Sequence, residues 1–161
     1  MLHVNNLSIS FYNNDEKNWS AAVNEVSFQV QPGSVLGIVG ESGSGKSVTS
    51  FSIMRLHDET STKIAGNINF DNLAVLNLSA NEMRQLRGNQ ISMIFQEPMT
   101  SLNPVLTCGY QVAEAIIVHQ KLSKADARQK TIALFKEVQL PRPEAIFDSY
   151  PHQISGGQKQ R

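Results

Sequence analysis

The sequence predicts an α/β fold that opens with antiparallel β structure, runs through a phosphate-binding core and carries an all-helical insertion. Three observations predict it. Residues 40–47 read Gly40, Glu41, Ser42, Gly43, Ser44, Gly45, Lys46, Ser47, a G-x-x-x-x-G-K-[ST] pattern between an apolar run and a helical stretch. Leu7, Ile9 and Phe11 alternate with Ser8 and Ser10, and Val26, Phe28 and Val30 alternate with Ser27 and Gln29, as half-buried strands do. From residue 107 to 138 the apolar period becomes helical.

The bulk composition sets outer bounds. The 161 residues, 40% hydrophobic, suit one domain with one core. Fourteen basic and fourteen acidic residues cancel, so no basic footprint for nucleic acid is present, and Lys159 with Arg161 reads as a solvated helix face. Cys108 is the only cysteine, which excludes an internal disulfide and fits a reducing compartment; with no base identifiable near it, it reads as a buried, inert thiol. No apolar run approaches a membrane span, and Met1 to Asn5 lack the basic-then-apolar pattern of a secretory signal. The expected setting is cytoplasmic, free or held peripherally at a membrane by a partner.

The spacing within residues 40–47 follows from anion chemistry. Gly40, Gly43 and Gly45 let the backbone wrap closely with its N–H groups inward. A helix starting at Lys46 or Ser47 adds its positive end, so Val48 also lies in the cradle. Lys46 supplies a point charge for β- and γ-phosphates, and the Ser47 hydroxyl is a hard oxygen ligand for Mg²⁺. With Gly near 7% of residues, a chance match in a chain of this size is on the order of one in a hundred or less.

In chain order, residues 13–20 are a polar loop, and Gln31, Pro32, Gly33 and Ser34 form a turn. Val35, Leu36, Gly37, Ile38 and Val39 then read as a buried strand. Val48, Phe51, Ile53, Met54 and Leu56 give the following helix an apolar face. Ile64, Ile68 and Phe70, interrupted by Gly66, predict an edge-type strand, and Ser79 with Glu82 predicts a capping box for a helix through Leu86. Ile91, Ser92, Met93, Ile94 and Phe95 predict a second buried strand ending on Gln96. Two helices follow, with Val112, Ala115, Ile116 and His119 on one face and Ala127, Thr131, Leu134, Phe135 and Val138 on another. Ser123 with Asp126 caps the second, and Pro141 and Pro143 stop it before a short segment over residues 144–150.

Two further stretches carry a resemblance. Residues 94–104, Ile-Phe-Gln-Glu-Pro-Met-Thr-Ser-Leu-Asn-Pro, look like the Q-loop of ATP-binding cassette (ABC) ATPases. Ile154, Ser155, Gly156, Gly157 and Gln158 look like the signature motif of that family, with Ile154 keeping the apolar anchor usually supplied by Leu. Residues 40–50, the run from Glu97 to Pro104, and Tyr150, Pro151, His152 and Gln153 are similar to the dipeptide/oligopeptide/nickel importers, including their glutathione-importer-like members. The resemblance covers essentially the whole chain. It implies a P-loop NTPase core of the ABC-ATPase type with an antiparallel β subdomain and an all-helical insertion. Residues 1–95 would be the β subdomain and phosphate-loop core, and residues 96–161 the Q-loop, helical subdomain and signature.

The resemblance also implies roles. The chain would be the ATP-binding subunit of an importer that couples ATP binding and hydrolysis to uptake of peptides or a related small solute. A non-transport ABC ATPase of DNA repair or translation is the alternative. Lys46 and Gln96 would be catalytic, and Ser47 and Gln96 would meet Mg²⁺. Phe11, or else Tyr12, would stack on adenine. Ser155, Gly156, Gly157 and Gln158 form a second helix N-terminus built for an anion, and the resemblance directs it to the γ-phosphate held by a partner's loop. His152 would support the signature or the structure. Partners would be a second cassette (identical, different or fused in tandem), transmembrane permease subunits and, indirectly, a solute-binding protein, with no nucleic acid, at the cytoplasmic face of the membrane. Family members continue past the signature with an apolar strand ending Asp-Glu and a downstream His. Asp58, Asp71 and Asp148 do not follow apolar strands and cannot take that role. The C-terminal part of the core is therefore expected to be missing, the phosphate-loop strand to lose a neighbour and expose apolar surface, and these 161 residues to bind nucleotide weakly and hydrolyse it negligibly.

Overall fold

The N-terminal alternation becomes a sheet in the computed structural model, which describes residues 1–95 and 101–161. Strands β1 (Leu2–Asn13), β2 (Asn18–Val30), β3 (Thr62–Phe70) and β4 (Leu73–Ala74) lie in the order β2-β1-β3-β4, every pair antiparallel. β1 is hydrogen-bonded on both sides, so its apolar residues are the most enclosed. Ile9 pairs with Val23 on β2 and with Ile64 on β3, and Val4 pairs with Phe28 and Ile68. Val4, Leu7, Ile9 and Ile68 are fully buried, each burial stabilising by about 1.5–3 kcal/mol.

Val4 and Leu7 cannot share a face of a regular strand, since side chains alternate. The shift occurs at Asn6, which is left-handed with φ 48°, where the register with both neighbours slips. Opposite it stands Gly66, with φ +97°; a Cβ there would lie 2.3 Å from the Asn6 carbonyl oxygen. Backbone donors freed by the irregularity are met by side chains: Asn6 N–H donates to Ser27 Oγ at 2.8 Å, and Glu25 N–H to Ser8 Oγ at 2.9 Å. Gly66 thus marks a close backbone approach rather than a break in the strand.

Helix α1 (Lys46–Ile53) starts at Lys46 as expected but ends before Leu56, which is exposed. Its buried side is not the expected apolar one. Thr49 and Ser52 are buried, followed by Met54 beyond the helix end, while Val48, Phe51 and Ile53 are half-buried. Hydroxyls can occupy that side because each donates within the helix: Thr49 to the Gly45 carbonyl at 3.0 Å and Ser52 to the Val48 carbonyl at 2.9 Å. On β2 the buried residue is Val23, and Val26 is exposed. The capping box of α2 (Ala80–Leu86) forms as read, with Ser79 Oγ accepting from Glu82 N–H and the Glu82 carboxylate accepting from Ser79 N–H. The hydrogen bonds from the Ser79 hydroxyl and backbone hold the Glu82 carboxyl below the ordinary glutamate range. Arginines close the end of α1: Arg87 Nε donates to the Met54 carbonyl at 2.7 Å and Arg55 Nη1 to the Leu78 carbonyl at 2.5 Å.

Two expected strands are absent among the described residues. Residues 35–39 form no ladder, with Val35 98% and Val39 93% exposed, and residues 92–95 form none, with Ile94 93% exposed. Only Ile91 makes a bridge. Both runs are apolar on both faces, the pattern of a strand flanked and covered on every side. A strand exists only when its backbone groups find a ladder partner, and no described segment supplies one. Both runs therefore leave apolar side chains exposed.

The described residues divide into two units, Met1–Arg87 and Gly88–Arg161. The second is helical: α3 (Cys108–Gln120), α4 (Lys124–Glu137), α5 (Pro143–Asp148) and α6 (Gly156–Gln160). Thr107 and Ser123 cap α3 and α4. Cys108, Phe135, Leu140 and Ile146 form one cluster, and Ala113, Ile116 and Ala127 another, with Val112 and Phe147 packed against both. Ala115, Leu134 and Val138 are exposed, so the buried stripes are narrower than the periodicity implied. α3 approaches α5 at Gly109, where a Cβ would lie 2.2 Å from the Phe147 ring.

Gly109→Ala is expected to destabilise the helical unit by about 1–3 kcal/mol, since the ring must move in a filled core. Ser79→Ala is expected to cost about 1 kcal/mol through loss of the cap. Chemical denaturation of both variants checks the order; a Gly109→Ala variant as stable as the parent contradicts the packing described.

Candidate phosphate-binding site

Residues 40–47 leave the strand-like run, turn through two left-handed glycines, Gly43 (φ +83°) and Gly45 (φ +88°), and enter α1. Gly45 occupies the cap position, yet no side chain caps the helix and no acidic residue lies in its first turn. The first amides of α1 therefore have no intrahelical acceptor and face outward with the positive helix end. Alternation of left-handed glycines with ordinary residues is the geometry that gathers successive N–H groups into an anion nest. Gly40, Glu41, Ser42, Gly43, Ser44 and Ser47 are exposed, and Gly45, Lys46 and Val48 half-buried.

The Lys46 ammonium folds over its own loop. Nζ donates to the Gly40 carbonyl at 2.8 Å, the Glu41 carbonyl at 2.7 Å and Ser44 Oγ at 3.3 Å. These bonds hold the charge over the mouth of the nest. Among the described residues the Ser47 hydroxyl makes no hydrogen bond, whereas those of Thr49, Ser50 and Ser52 all donate back to helix carbonyls. An unengaged hard oxygen beside an anion nest is the donor type that suits Mg²⁺.

The loop is seated by β2. A Cβ on Gly45 would lie 2.8 Å from the Ala22 carbonyl oxygen and 2.9 Å from Val23 Cγ2. Val23 is paired with Ile9; the register with β2 shifts between Ile9 and Ser10, but against β3 β1 runs regularly from Ile9 to Phe11, so Phe11 returns to the face of Ile9, the one that carries the loop. Tyr12 lies on the opposite face against Trp19, with ring centroids 5.3 Å apart, and Lys63 Nζ caps the Trp19 ring at 3.9 Å. Phe11 instead meets His57, whose ring nothing in the spacing of the sequence had marked. Between β2 and residues 36–40 lies a cavity of about 510 Å³, lined by Val23, Val26, Phe28, Leu36 and Ile38 and bordered by Gly45 and Lys46.

In the helical unit Ser155 caps α6 in a reciprocal box: Gln158 N–H donates to Ser155 Oγ at 3.3 Å, and Gln158 Oε1 accepts from Ser155 N–H at 2.8 Å. Ile154 packs against the Cys108 cluster as the apolar anchor. Ser155, Gly156 and Gly157 remain exposed, and a side chain at Gly157 would meet open space. Gln158 is thus occupied in the cap. His152 stacks on Tyr150 at 5.6 Å. Cys108 is buried, and burial pushes its thiol up from its ordinary value, away from nucleophilic use. Gln96 lies outside the described residues. Among the described residues no group of three or more potential metal-ligating His, Cys, Asp or Glu side chains occurs, and no helix is long and apolar enough to cross a membrane.

A family model described as ABC transporter matches residues 23–161. The dipeptide transport ATP-binding protein DppD of Haemophilus influenzae is 47% identical over 161 residues, spanning all of this chain and 48% of that protein. Its namesake in Escherichia coli strain K12 is also 47% identical, spanning all of this chain and 49% of that protein. A solved ATP-binding cassette in a dimeric, post-hydrolysis state bound to ADP and phosphate aligns with a TM-score of 0.80 and 26% identity, over 99% of this chain and 66% of that one. The chain spans about half the length of the curated relatives it matches.

Gly43→Ala meets open space and is expected to cost only the left-handed strain, about 1–2 kcal/mol. Gly45→Ala adds collision with the Ala22 carbonyl and is expected to cost clearly more. Urea denaturation of the two variants checks this; equal losses contradict the seating of the loop on β2.

Proposed function

The chain belongs to the ABC transporter family, and on that premise we propose that it carries the ATP site of an importer's ATPase subunit, coupling ATP binding and hydrolysis to uptake of peptides or a related small solute. The observation that supports this most directly is the uncapped start of α1 behind Gly43 and Gly45, with Lys46 held over it. The first amides of α1 receive phosphate oxygens. Lys46 would exchange a loop carbonyl for the β- and γ-phosphate oxygens. Its charge-assisted bonds neutralise the phosphates in a site where phosphoryl transfer to water depends on positioning and charge. Ser47 would hold Mg²⁺ through its free hydroxyl, and the ion would supply further neutralisation of the phosphate oxygens. Gln96 would orient the attacking water and touch the same ion.

Phe11 is the adenine-stacking ring in this reading, because it shares the loop's sheet face while Tyr12 is engaged with Trp19 on the other. Ser155, Gly156 and Gly157 offer exposed backbone at the start of α6 to the γ-phosphate of a partner cassette, with Gln158 keeping that turn rigid. Residues 1–161 would form part of one nucleotide-binding domain that works as a pair, peripheral at the cytoplasmic face, against permease subunits fed by a solute-binding protein. The printed names of the relatives, dipeptide transport ATP-binding proteins, support import over a non-transport role.

Lys46→Ala is expected to lower Mg-ATP affinity about tenfold to a hundredfold, the range for loss of charged hydrogen bonds, with the denaturation midpoint unchanged. Calorimetric titration measures it. Undiminished affinity in the variant counts against the site.

A further inference from the structure

Phe11 has small cross-strand neighbours, Ser20 on β2 and Thr62 on β3. Neither supplies a wall that would fix the plane of its ring. The ring that meets it is His57, at a centroid distance of 5.3 Å and an interplanar angle of 74°. The same imidazole meets Phe51 of α1 at 6.0 Å and 67°. Its Nε2 lies 3.0 Å from the Val48 carbonyl oxygen; a carbonyl only accepts, so Nε2 is the donor. Val48 stands two residues beyond Lys46, in the first turn of α1. His57 also borders a cavity of about 180 Å³ shared with Arg55, Glu59, Thr62 and Ile64. The bond to Val48 anchors the imidazole between its two ring contacts.

One side chain therefore links the ring on β1 to the turn that presents the phosphate donors. We propose that His57 is a positioning residue for the nucleotide base: anchored to the Val48 carbonyl, it sets its edge against Phe11 and holds the Phe11 ring in the orientation that stacks on adenine. The proposal rests on the reading of residues 40–47 and Phe11 as an adenine-nucleotide site. Edge-to-face contact is a favoured aromatic geometry. A ring ordered before binding does not lose that freedom on binding, which raises affinity for the base without touching the phosphates.

The test uses the 161-residue chain and two probes, Mg-ATP and Mg-tripolyphosphate, the second carrying phosphates without a base. His57→Ala is expected to weaken Mg-ATP binding about threefold to tenfold and to leave Mg-tripolyphosphate binding unchanged. His57→Phe, which keeps an aromatic edge but cannot donate to the Val48 carbonyl, is expected to recover only part of the ATP affinity. Equal weakening for both probes would show a general effect on α1 or the fold and overturn the proposal, as would no weakening in His57→Ala or full recovery in His57→Phe, which would show that the bond to Val48 sets nothing. Phe11→Ala separates the two levels. If it lowers the ATP-to-tripolyphosphate affinity ratio and His57→Ala does not, the role of His57 fails alone. If it leaves the ratio unchanged, the base site at Phe11 fails and the proposal fails with it.

Discussion

Between the backbone of Gly45 and β2 there is no room for a side chain: the Ala22 carbonyl and a Val23 methyl occupy the place where one would stand. That approach, made in a left-handed conformation, sets where α1 begins and which way its unpaired amides point. Val23 is held in turn by Ile9, and Ile9 by Ile64, so the position of the phosphate loop is inherited from the best-buried part of the sheet. The bulged path of β1 at Asn6, accommodated by Gly66, shifts the alternation so that Val4, Leu7 and Ile9 all reach that core. A flexible loop is thereby mounted on a rigid support, which a binding constellation needs for precise geometry.

What could be read from the residues were features with short-range causes. The phosphate loop, the Ser79–Glu82 and Ser155–Gln158 boxes, and the cap at Ser123 depend on neighbours within a few positions, and each of those caps is present. Features that depend on distant partners were not legible. Residues 35–39 and 91–95 have the composition of buried strands, but composition cannot create a ladder partner, and among the described residues most of both runs stay unpaired. The buried side of α1 was misread because Thr49 and Ser52 count as polar until their hydroxyls are seen bonded to their own helix. Phe11 and Tyr12 are adjacent and equally aromatic, and only the register with β2 and β3 separates their faces. His57 carried no signal, since its ring contact with Phe11 joins positions far apart in the chain.

The helical unit shows a different economy. Its clusters set small residues such as Ala113 and Ala127 beside Phe135 and Phe147, and Gly109 lets α3 approach the Phe147 ring closely. Cys108 belongs to this packing, where burial suppresses thiolate formation. The exposed turn at Ser155, Gly156 and Gly157 is anchored from behind by Ile154 and locked by Gln158. Both candidate anion-facing turns thus follow one physical design, a helix start with glycine-opened backbone, but they solve capping differently: α6 is capped by its own residues, and α1 leaves its donors for a ligand.

The direct test of that last distinction is a titration of the isotopically labelled chain with Mg-ATP, followed by the amide resonances of residues 40–48 and 155–158. The largest shifts are predicted at Gly43, Gly45, Lys46 and Ser47, with Gln158, already bonded within its cap, moving little. Shifts confined to residues outside 40–48, or none at saturating nucleotide, would contradict an ATP site built on the uncapped start of α1.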